Sequence, residues 1–136
     1  MATKEYCRYY LQSFAENKLG EPQLIYQCPA DSYGKVAFSH DDDLLIFTER
    51  TAADAPYELF TLQLSTGHKR RLHQPPLVLG GNVSFDLHPT AQKLLVSAVD
   101  EQMWEGFYAV DLETDELKLM FKLDMYICCG IWDHAG

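Results

Sequence analysis

Short apolar runs separated by polar turns recur along the whole chain. Between residues 83 and 121 there are four such runs: Val83–Asp86, Leu94–Ser97, Phe107–Leu112 and Leu117–Phe121. Short runs rich in branched and aromatic residues and bounded by turn residues are typical of β-strands. The pattern therefore predicts one antiparallel meander of four strands over residues 83–121.

The same four-run unit occurs over residues 36–72, and the start of another follows at residues 130–136. Three aromatic residues, Phe38, Phe85 and Trp132, mark the first run of each copy at intervals of 47 residues. Self-similarity at a fixed period indicates a repeat architecture, and four strands per repeat are typical of a β-propeller blade.

We therefore expect an all-β fold, a partial β-propeller made of four-stranded antiparallel blades. It would have two complete repeats and a partial blade at each end, within a single domain over residues 1–136. Because propellers typically have four to eight blades, we expect the chain to be a segment of a longer propeller.

The partial blade at the beginning covers residues 6–28. Its aromatic and β-branched residues favour strands, and the repeat places the third and fourth strands of a blade at Arg8–Phe14 and Gln23–Cys28, with a loop over residues 15–20. A short helix over residues 4–17 is the alternative interpretation.

Two cysteines fall into register across this predicted hairpin. If Phe14 lies opposite Glu21, then Cys7 lies opposite Cys28. Directly opposed residues at a non-hydrogen-bonded site have the Cβ separation that a disulfide requires. We predict a Cys7–Cys28 disulfide, which an oxidising compartment would favour. Two small apolar side chains in a reduced sheet are the alternative.

Composition narrows the function classes. Hydrophobic residues make up 47% of the 136 residues, which excludes a disordered chain, and no apolar run approaches the roughly 20 residues of a membrane helix. A net charge of −9 disfavours binding to nucleic acid or anionic membranes. Residues 1–6 lack the segments of a secretory signal, so we expect any export signal to lie outside this chain.

Three histidines follow the first run of each copy, and we expect them to share one rim of a propeller: His40, His88 and His134. With neighbouring aspartates they could hold a divalent cation, because imidazole and carboxylate groups suit such ions. The alternative, which we favour, is that these residues build tight turns, where Asp side chains accept hydrogen bonds from nearby backbone amides. We therefore predict no metal site and no cofactor.

Longer links follow the second strand of each complete blade, at residues 49–56 and 99–106. Links of this kind commonly carry binding contacts. Trp104 and Glu105 lie in the second link and are candidate binding residues. The alternative for Trp104 is a ring that packs down on its own blade, since an aromatic side chain buries a large apolar area.

Other chemical signals are weak. No Gly-x-Ser-x-Gly motif is present, so we do not expect catalysis. Cys128 and Cys129 are adjacent and lack the Cys-x-x-Cys spacing of a metal or redox site; buried thiols are the simpler interpretation. The one basic run, residues 68–71, lies on a predicted fourth strand, where it would protect an exposed edge from unwanted pairing.

Two segments resemble the TolB-type propeller repeat. The first is Val36–Thr48, with the sequence VAFSHDDDLLIFT, and the second is Glu58–Leu72, with the sequence ELFTLQLSTGHKRRL. The repeat has the form aromatic-Ser-Pro-Asp-Gly-x-x-Ile-Ala-Phe, then Ile-Tyr-x-x-Asp-Leu-x-Thr-Gly and Arg-x-Leu-Thr. The chain departs from it at the first turn, where His40 replaces proline.

More narrowly, residues 25–132 are similar to the propeller that follows the membrane anchor in CadC/ToxR-type transcriptional regulators. The resemblance implies a non-catalytic sensory or protein-interaction module in the periplasm, with the membrane anchor and DNA-binding domain outside this chain. It implies a protein partner, self-association through exposed blade faces or a small-molecule signal, and no direct nucleic-acid contact. The alternative is the non-catalytic propeller of a prolyl-oligopeptidase-like serine peptidase.

Overall fold

The computed structural model describes residues 6–29, 33–72, 84–99 and 105–123, and the regular structure of these residues is entirely β-strand. The strands are β1 (Tyr6–Leu11), β2 (Phe14–Ala15), β3 (Lys18–Leu19), β4 (Gln23–Pro29), β5 (Tyr33–Phe38), β6 (Leu44–Glu49), β7 (Glu58–Gln63), β8 (Lys69–Arg71), β9 (Ser84–Leu87), β10 (Lys93–Val99), β11 (Glu105–Asp111) and β12 (Leu117–Leu123). None of the described residues belongs to a helix that could cross a membrane.

Two four-stranded antiparallel sheets confirm the predicted all-β class. The first sheet has the order β5-β6-β7-β8, and the second sheet has the order β12-β11-β10-β9. Consecutive strands are therefore neighbours, as in a meander. Within the described ranges no sheet closes on itself, so the ring of blades that a propeller requires stays a prediction.

The chain divides into two compact units, Met1–Tyr33 and Gly34–Gly136. The four-stranded sheets lie in the second unit. In the first unit β1 pairs with β4 and β2 pairs with β3. Residues 6–28 thus hold two pairs of strands where one pair was predicted, and the alternative helix over residues 4–17 is wrong because β1 occupies Tyr6–Leu11. The membership of both units in one propeller segment stays a prediction.

The predicted cysteine pair is present in the first unit. Cys7 lies opposite Cys28 and forms a disulfide with it, with a Cα–Cα distance of 5.1 Å. The register assumed for the rest of the hairpin is wrong, because Phe14 lies opposite Leu19 rather than Glu21. The cause is a shift of one residue between Tyr9 and Tyr10 and a further shift of one residue between Leu11 and Phe14, beyond which the pairing that joins the cysteines no longer holds.

The second strand of each four-stranded sheet is covered on both faces, as its unbroken apolar sequence predicts. In β6, Leu45, Ile46 and Phe47 are all buried. In β10, Leu94 and Val96 are buried on one face, and on the other face Ser97 is buried and Leu95 is half-buried. A strand covered on both faces carries apolar residues on both, which explains why these sequences do not alternate with polar residues.

The two sheets share one hydrophobic core. The first sheet contributes Ile46 and Leu59, together with Leu72 just beyond β8, and the second sheet and its flanking residue contribute Phe85, Leu94, Val96, Val110 and Leu112. Each large apolar side chain buried in this way contributes roughly 1.5–3 kcal/mol to folding. The packing of the two sheets against each other therefore stabilises the second unit.

The repeat has a longer interval than the aromatic residues indicated. The first turn of each sheet is closed by the same bond, from Ser39 N to Leu44 O and from His88 N to Lys93 O, both 2.9 Å long and 49 residues apart. At this interval Phe85 matches Val36, whereas Phe38 matches Leu87. Side chains two residues apart share one face of a strand. An alignment of the two repeats that is wrong by two residues therefore keeps the same pattern of apolar positions, and the sequence alone could not exclude it.

The burial of the two aromatic residues agrees with this correction. Phe85 is 1% exposed, whereas Phe38 is 40% exposed. The third aromatic residue of the predicted series, Trp132, and the predicted blade start at 130–136 lie outside the described residues.

Candidate functional site

The first turns of the two sheets form the surface that we call the first-turn rim, defined as residues 39–44 and 88–93. In the first of these turns the Ser39 hydroxyl donates to the Asp41 carboxylate, and Asp41 Oδ1 accepts the Asp43 amide at 3.3 Å. The Ser39 hydroxyl oxygen also accepts the Leu44 amide at 3.2 Å. The hydrogen bonds from the Ser39 hydroxyl, the main cause, and from the Asp43 amide hold the pKa of Asp41 below its usual value.

Asp43 joins this turn to the turn between β7 and β8. Its carboxylate accepts hydrogen bonds from the Ser65 amide at 2.9 Å, the Ser65 hydroxyl at 2.8 Å and the Gln63 side-chain amide at 3.1 Å. The Ser65 hydroxyl, followed by Gln63, lowers the pKa of Asp43. The aspartates thus form the hydrogen-bonded turn that the sequence favoured over a cation site.

The second turn of the rim is capped by a histidine ring. His88 Nδ1 accepts the backbone amides of Thr90 at 3.1 Å and Ala91 at 3.0 Å. An imidazole nitrogen that accepts hydrogen bonds carries no proton, so the neutral ring is protonated at Nε2. The ring performs the local function that the Asp41 carboxylate performs in the first turn.

A hydrogen bond joins the two turns of the rim. The His40 Nε2 donates to the backbone carbonyl of His88, which lies in the neighbouring sheet. The structure therefore brings together two of the three predicted rim histidines, while His134 lies outside the described residues. No group of three or more side chains of His, Cys, Asp or Glu within the described ranges is arranged to hold a metal ion.

A cleft with a volume of about 120 Å³ lies beside the rim. It is lined by Asp41, Asp43, Leu44, Gln63, Gln92, Leu112 and Glu113. The Gln92 Oε1 atom is buried and accepts no hydrogen bond from the described residues. The charged side chains of this lining are all carboxylates, so the cleft suits a partner that presents hydrogen-bond donors or positive charge.

The structure does not show the other predicted binding site, which consists of Trp104 and Glu105 in the link over residues 99–106. Glu105 is the first residue of β11 and lies opposite Val99 and Leu123. It therefore belongs to a strand rather than to a projecting link, because β10 and β11 extend further than the apolar runs indicated. Trp104 lies outside the described residues, as do Cys128 and Cys129.

The basic run has structural partners. Lys69 forms an ion pair with Glu49 at 2.6 Å, and Arg71 forms one with Glu58 at 2.7 Å. Arg70 donates to the Leu112 carbonyl of the second sheet at 2.7 Å. The run lies on β8 at the edge of its sheet, as predicted, but the role of Arg70 between the sheets was missed.

A second cation between the sheets was also missed. Lys35 of β5 donates to the Phe85 carbonyl, and its Nζ atom lies 5.0 Å from the centre of the Phe85 ring. A cation over an aromatic face is attracted by the ring quadrupole. No signal in the sequence marks Lys35 or Arg70, because the partner of each is a backbone carbonyl in another sheet.

Comparison with known proteins found one solved structure that resembles this chain. No family model matches the chain, and no curated protein matches it. The crystal structure of TolB from Acinetobacter baumannii is similar, with a TM-score of 0.58 and 15% sequence identity over 86% of this chain. The chain has a TolB-like fold. It corresponds to 32% of the length of TolB.

The TolB-like fold confirms one part of the resemblance drawn from the sequence. At 15% identity the likeness concerns the fold alone. The non-catalytic role and the narrower resemblance to CadC/ToxR-type regulators stay predictions, because a fold does not by itself specify a function.

Proposed function

We propose that this chain is a non-catalytic β-propeller module that binds a protein partner through the first-turn rim. The observation that carries the proposal is the joined rim itself, in which the His40 ring of one sheet bonds to the His88 carbonyl of the next. Turns fixed in this way present their outer side chains in a constant arrangement, and pre-ordered surfaces lose less entropy on binding.

The surface of this chain that we propose binds the partner is acidic. Asp41, Asp43 and Glu113 line the rim cleft, and the chain as a whole has a net charge of −9. Electrostatic complementarity mainly sets association rate and partner choice. A protein partner with a basic or donor-rich loop therefore fits the rim better than an acidic ligand does.

We also propose an oxidising compartment, either the periplasm or the outside of a cell. The Cys7–Cys28 disulfide supports this location, because disulfides are rare where glutathione and thioredoxin keep thiols reduced. The resemblance to CadC/ToxR-type regulators makes the sensory part of a membrane-anchored transcriptional regulator our preferred setting. An upstream winged-helix domain and membrane helix in the parent reading frame would support it, and a downstream Gly-x-Ser-x-Gly motif would contradict it.

Site-specific photo-crosslinking in the native host tests the rim. A crosslinking amino acid is placed at Thr90 or Lys93, exposed rim residues that leave the bond from His40 to the His88 carbonyl in place. A matched control places it at Lys18 in the first unit, where the side chain is also exposed. We expect a protein adduct from the rim positions and a much weaker one from Lys18. Equal adducts from all three positions, or none from the rim, would contradict a rim-binding module.

A further inference from the structure

The first unit has almost no hydrophobic core of its own. Among residues 6–28, Cys28 is the one buried residue, with 2% of its surface exposed. The cluster of buried residues shared by the two four-stranded sheets belongs to the second unit. Because apolar burial is the dominant favourable term in folding, the first unit needs another source of stability. Five of its larger apolar side chains are between 43% and 68% exposed: Tyr6, Tyr10, Phe14, Leu19 and Leu24.

The strand pairing of the first unit does not supply that stability. Among the described residues, β1 pairs with β4 and β2 pairs with β3, and each pair is a sheet of two strands. A single two-stranded hairpin is marginally stable in water, and independent stability needs a third strand or packing on an apolar face. Backbone pairing alone therefore leaves the first unit close to the balance between folded and unfolded states.

The Cys7–Cys28 disulfide supplies the missing stability. It links β1 to β4 one residue pair from the end of their ladder, where Tyr6 lies opposite Pro29. The two cysteines are 21 residues apart in the sequence. A cross-link that closes a loop of this length lowers the entropy of the unfolded chain and raises the equilibrium constant for folding roughly a hundredfold. A change of that size decides whether a marginal pair of strands is folded.

We propose that the first unit is a redox-controlled element. With the disulfide formed, residues 6–29 are ordered; with the disulfide reduced, they unfold while the second unit stays folded. The partner in this reaction is a protein with a reactive dithiol, which opens the bond, and the oxidised form of such a protein closes it. The proposal does not depend on the function proposed for the first-turn rim, which lies in the second unit.

The reduction proceeds by thiol–disulfide exchange. A thiolate of the dithiol attacks the Sγ atom of Cys7, which is more exposed than Cys28; the Cys7–Cys28 bond breaks, and Cys28 leaves as a thiolate that takes up a proton. The second thiolate of the dithiol then attacks its own sulfur in the mixed disulfide. Cys7 is released and takes up a proton, and the partner keeps the new disulfide. Two electrons and two protons have passed from the dithiol to this chain.

Hydrogen exchange measured by mass spectrometry tests the proposal, with dithiothreitol as the dithiol. Exchange reports local opening separately for each segment of the chain. We expect the amides of β1 and β4 to exchange at least tenfold faster after reduction, and those of β6 and β10 to exchange at an unchanged rate. Alkylation and peptide mapping confirm that Cys7 and Cys28 are reduced. Unchanged exchange in β1 and β4, or equal acceleration in β6 and β10, would overturn the proposal.

Two double variants separate this disulfide from the remaining cysteines. Cys7→Ser/Cys28→Ser should show the fast exchange of β1 and β4 without any reductant. Cys128→Ser/Cys129→Ser is the matched control; it leaves Cys7 and Cys28 as the only cysteines of the chain and should respond to dithiothreitol as the wild type does. Slow exchange of β1 and β4 in Cys7→Ser/Cys28→Ser would mean that strand pairing alone holds the first unit, and the proposal would then be wrong.

Discussion

At the scale of single residues, the turns are held by side chains that accept backbone amides. Asp41 and Asp43 do this in the first sheet, His88 and Asp111 in the second. Asp111 accepts the amides of Glu113 and Thr114, both at 2.9 Å, and the Thr114 amide is the main cause that lowers its pKa. Such bonds favour the ionised carboxylate, so part of the fold's stability depends on pH.

Asp43 allows this dependence to be measured. Its pKa is lowered in the folded chain, with the Ser65 hydroxyl as the main cause. The stabilisation is complete above the unfolded value of 3.8 and is lost as pH falls through the lower folded value. We expect the urea midpoint of the wild type to decrease between pH 5 and pH 3, and that of Asp43→Asn to decrease less. Asp42→Asn removes an equal charge and is the control; an unchanged slope in Asp43→Asn would refute the assignment.

The sequence predicted residue contacts only where pairing is regular. Cys7 and Cys28 were matched correctly because the register from Tyr6 to Tyr9 is unbroken. Phe14 was placed wrongly because two register shifts, one after Tyr9 and one between Leu11 and Phe14, leave no mark in hydrophobic alternation. The bond from His40 to the His88 carbonyl could not be predicted at all, since nothing in a side chain's identity specifies a backbone partner in another sheet.

At the scale of elements, the two sheets use the same turn between their third and fourth strands with different residues. Gly67 N bonds to Gln63 O at 2.8 Å, and Asp115 N bonds to Asp111 O at 2.9 Å. Both residues have left-handed backbones, with φ of 72° for Gly67 and 61° for Asp115. Glycine adopts this conformation without strain, and Asp or Asn adopts it at small cost.

This turn predicts an ordered series of substitutions at Gly67. Gly67→Ala should lower the free energy of unfolding by about 1–2 kcal/mol, the cost of a left-handed backbone for an L-residue. No neighbouring atom lies within 4 Å of the added Cβ, so the backbone alone accounts for the loss. Gly67→Asn should cost less. Urea unfolding measures both, and an equal loss in the two variants would contradict the explanation.

Element boundaries were predictable where a strand's apolar run coincides with its hydrogen-bonded ladder. The covered strand β6 was placed well, because every residue from Leu45 to Phe47 is buried. β11 begins at Glu105, two residues before the apolar run, because strand pairing with β10 and β12 continues into polar residues. That extension moved Glu105 from a predicted link into a sheet.

At the scale of the whole molecule, the repeated sheet was visible in the sequence but its exact alignment was not. Four runs per repeat predicted the two four-stranded sheets, and the TolB-like fold agrees with them. The aromatic residues suggested an interval of 47, whereas the matching turn bonds lie 49 residues apart. The packing of one sheet on another selects the true alignment, and that selection depends on contacts distant in sequence.

Two phenylalanine substitutions test this alignment directly. Phe85→Ala should destabilise the second unit by about 3–5 kcal/mol, because it leaves a cavity among residues of both sheets. Phe38→Ala should cost about 1 kcal/mol or less, since its ring is 40% exposed. Urea unfolding followed by circular dichroism measures each loss. Similar losses would mean that the two rings hold equivalent places, and the alignment that matches Phe85 to Val36 would then be wrong.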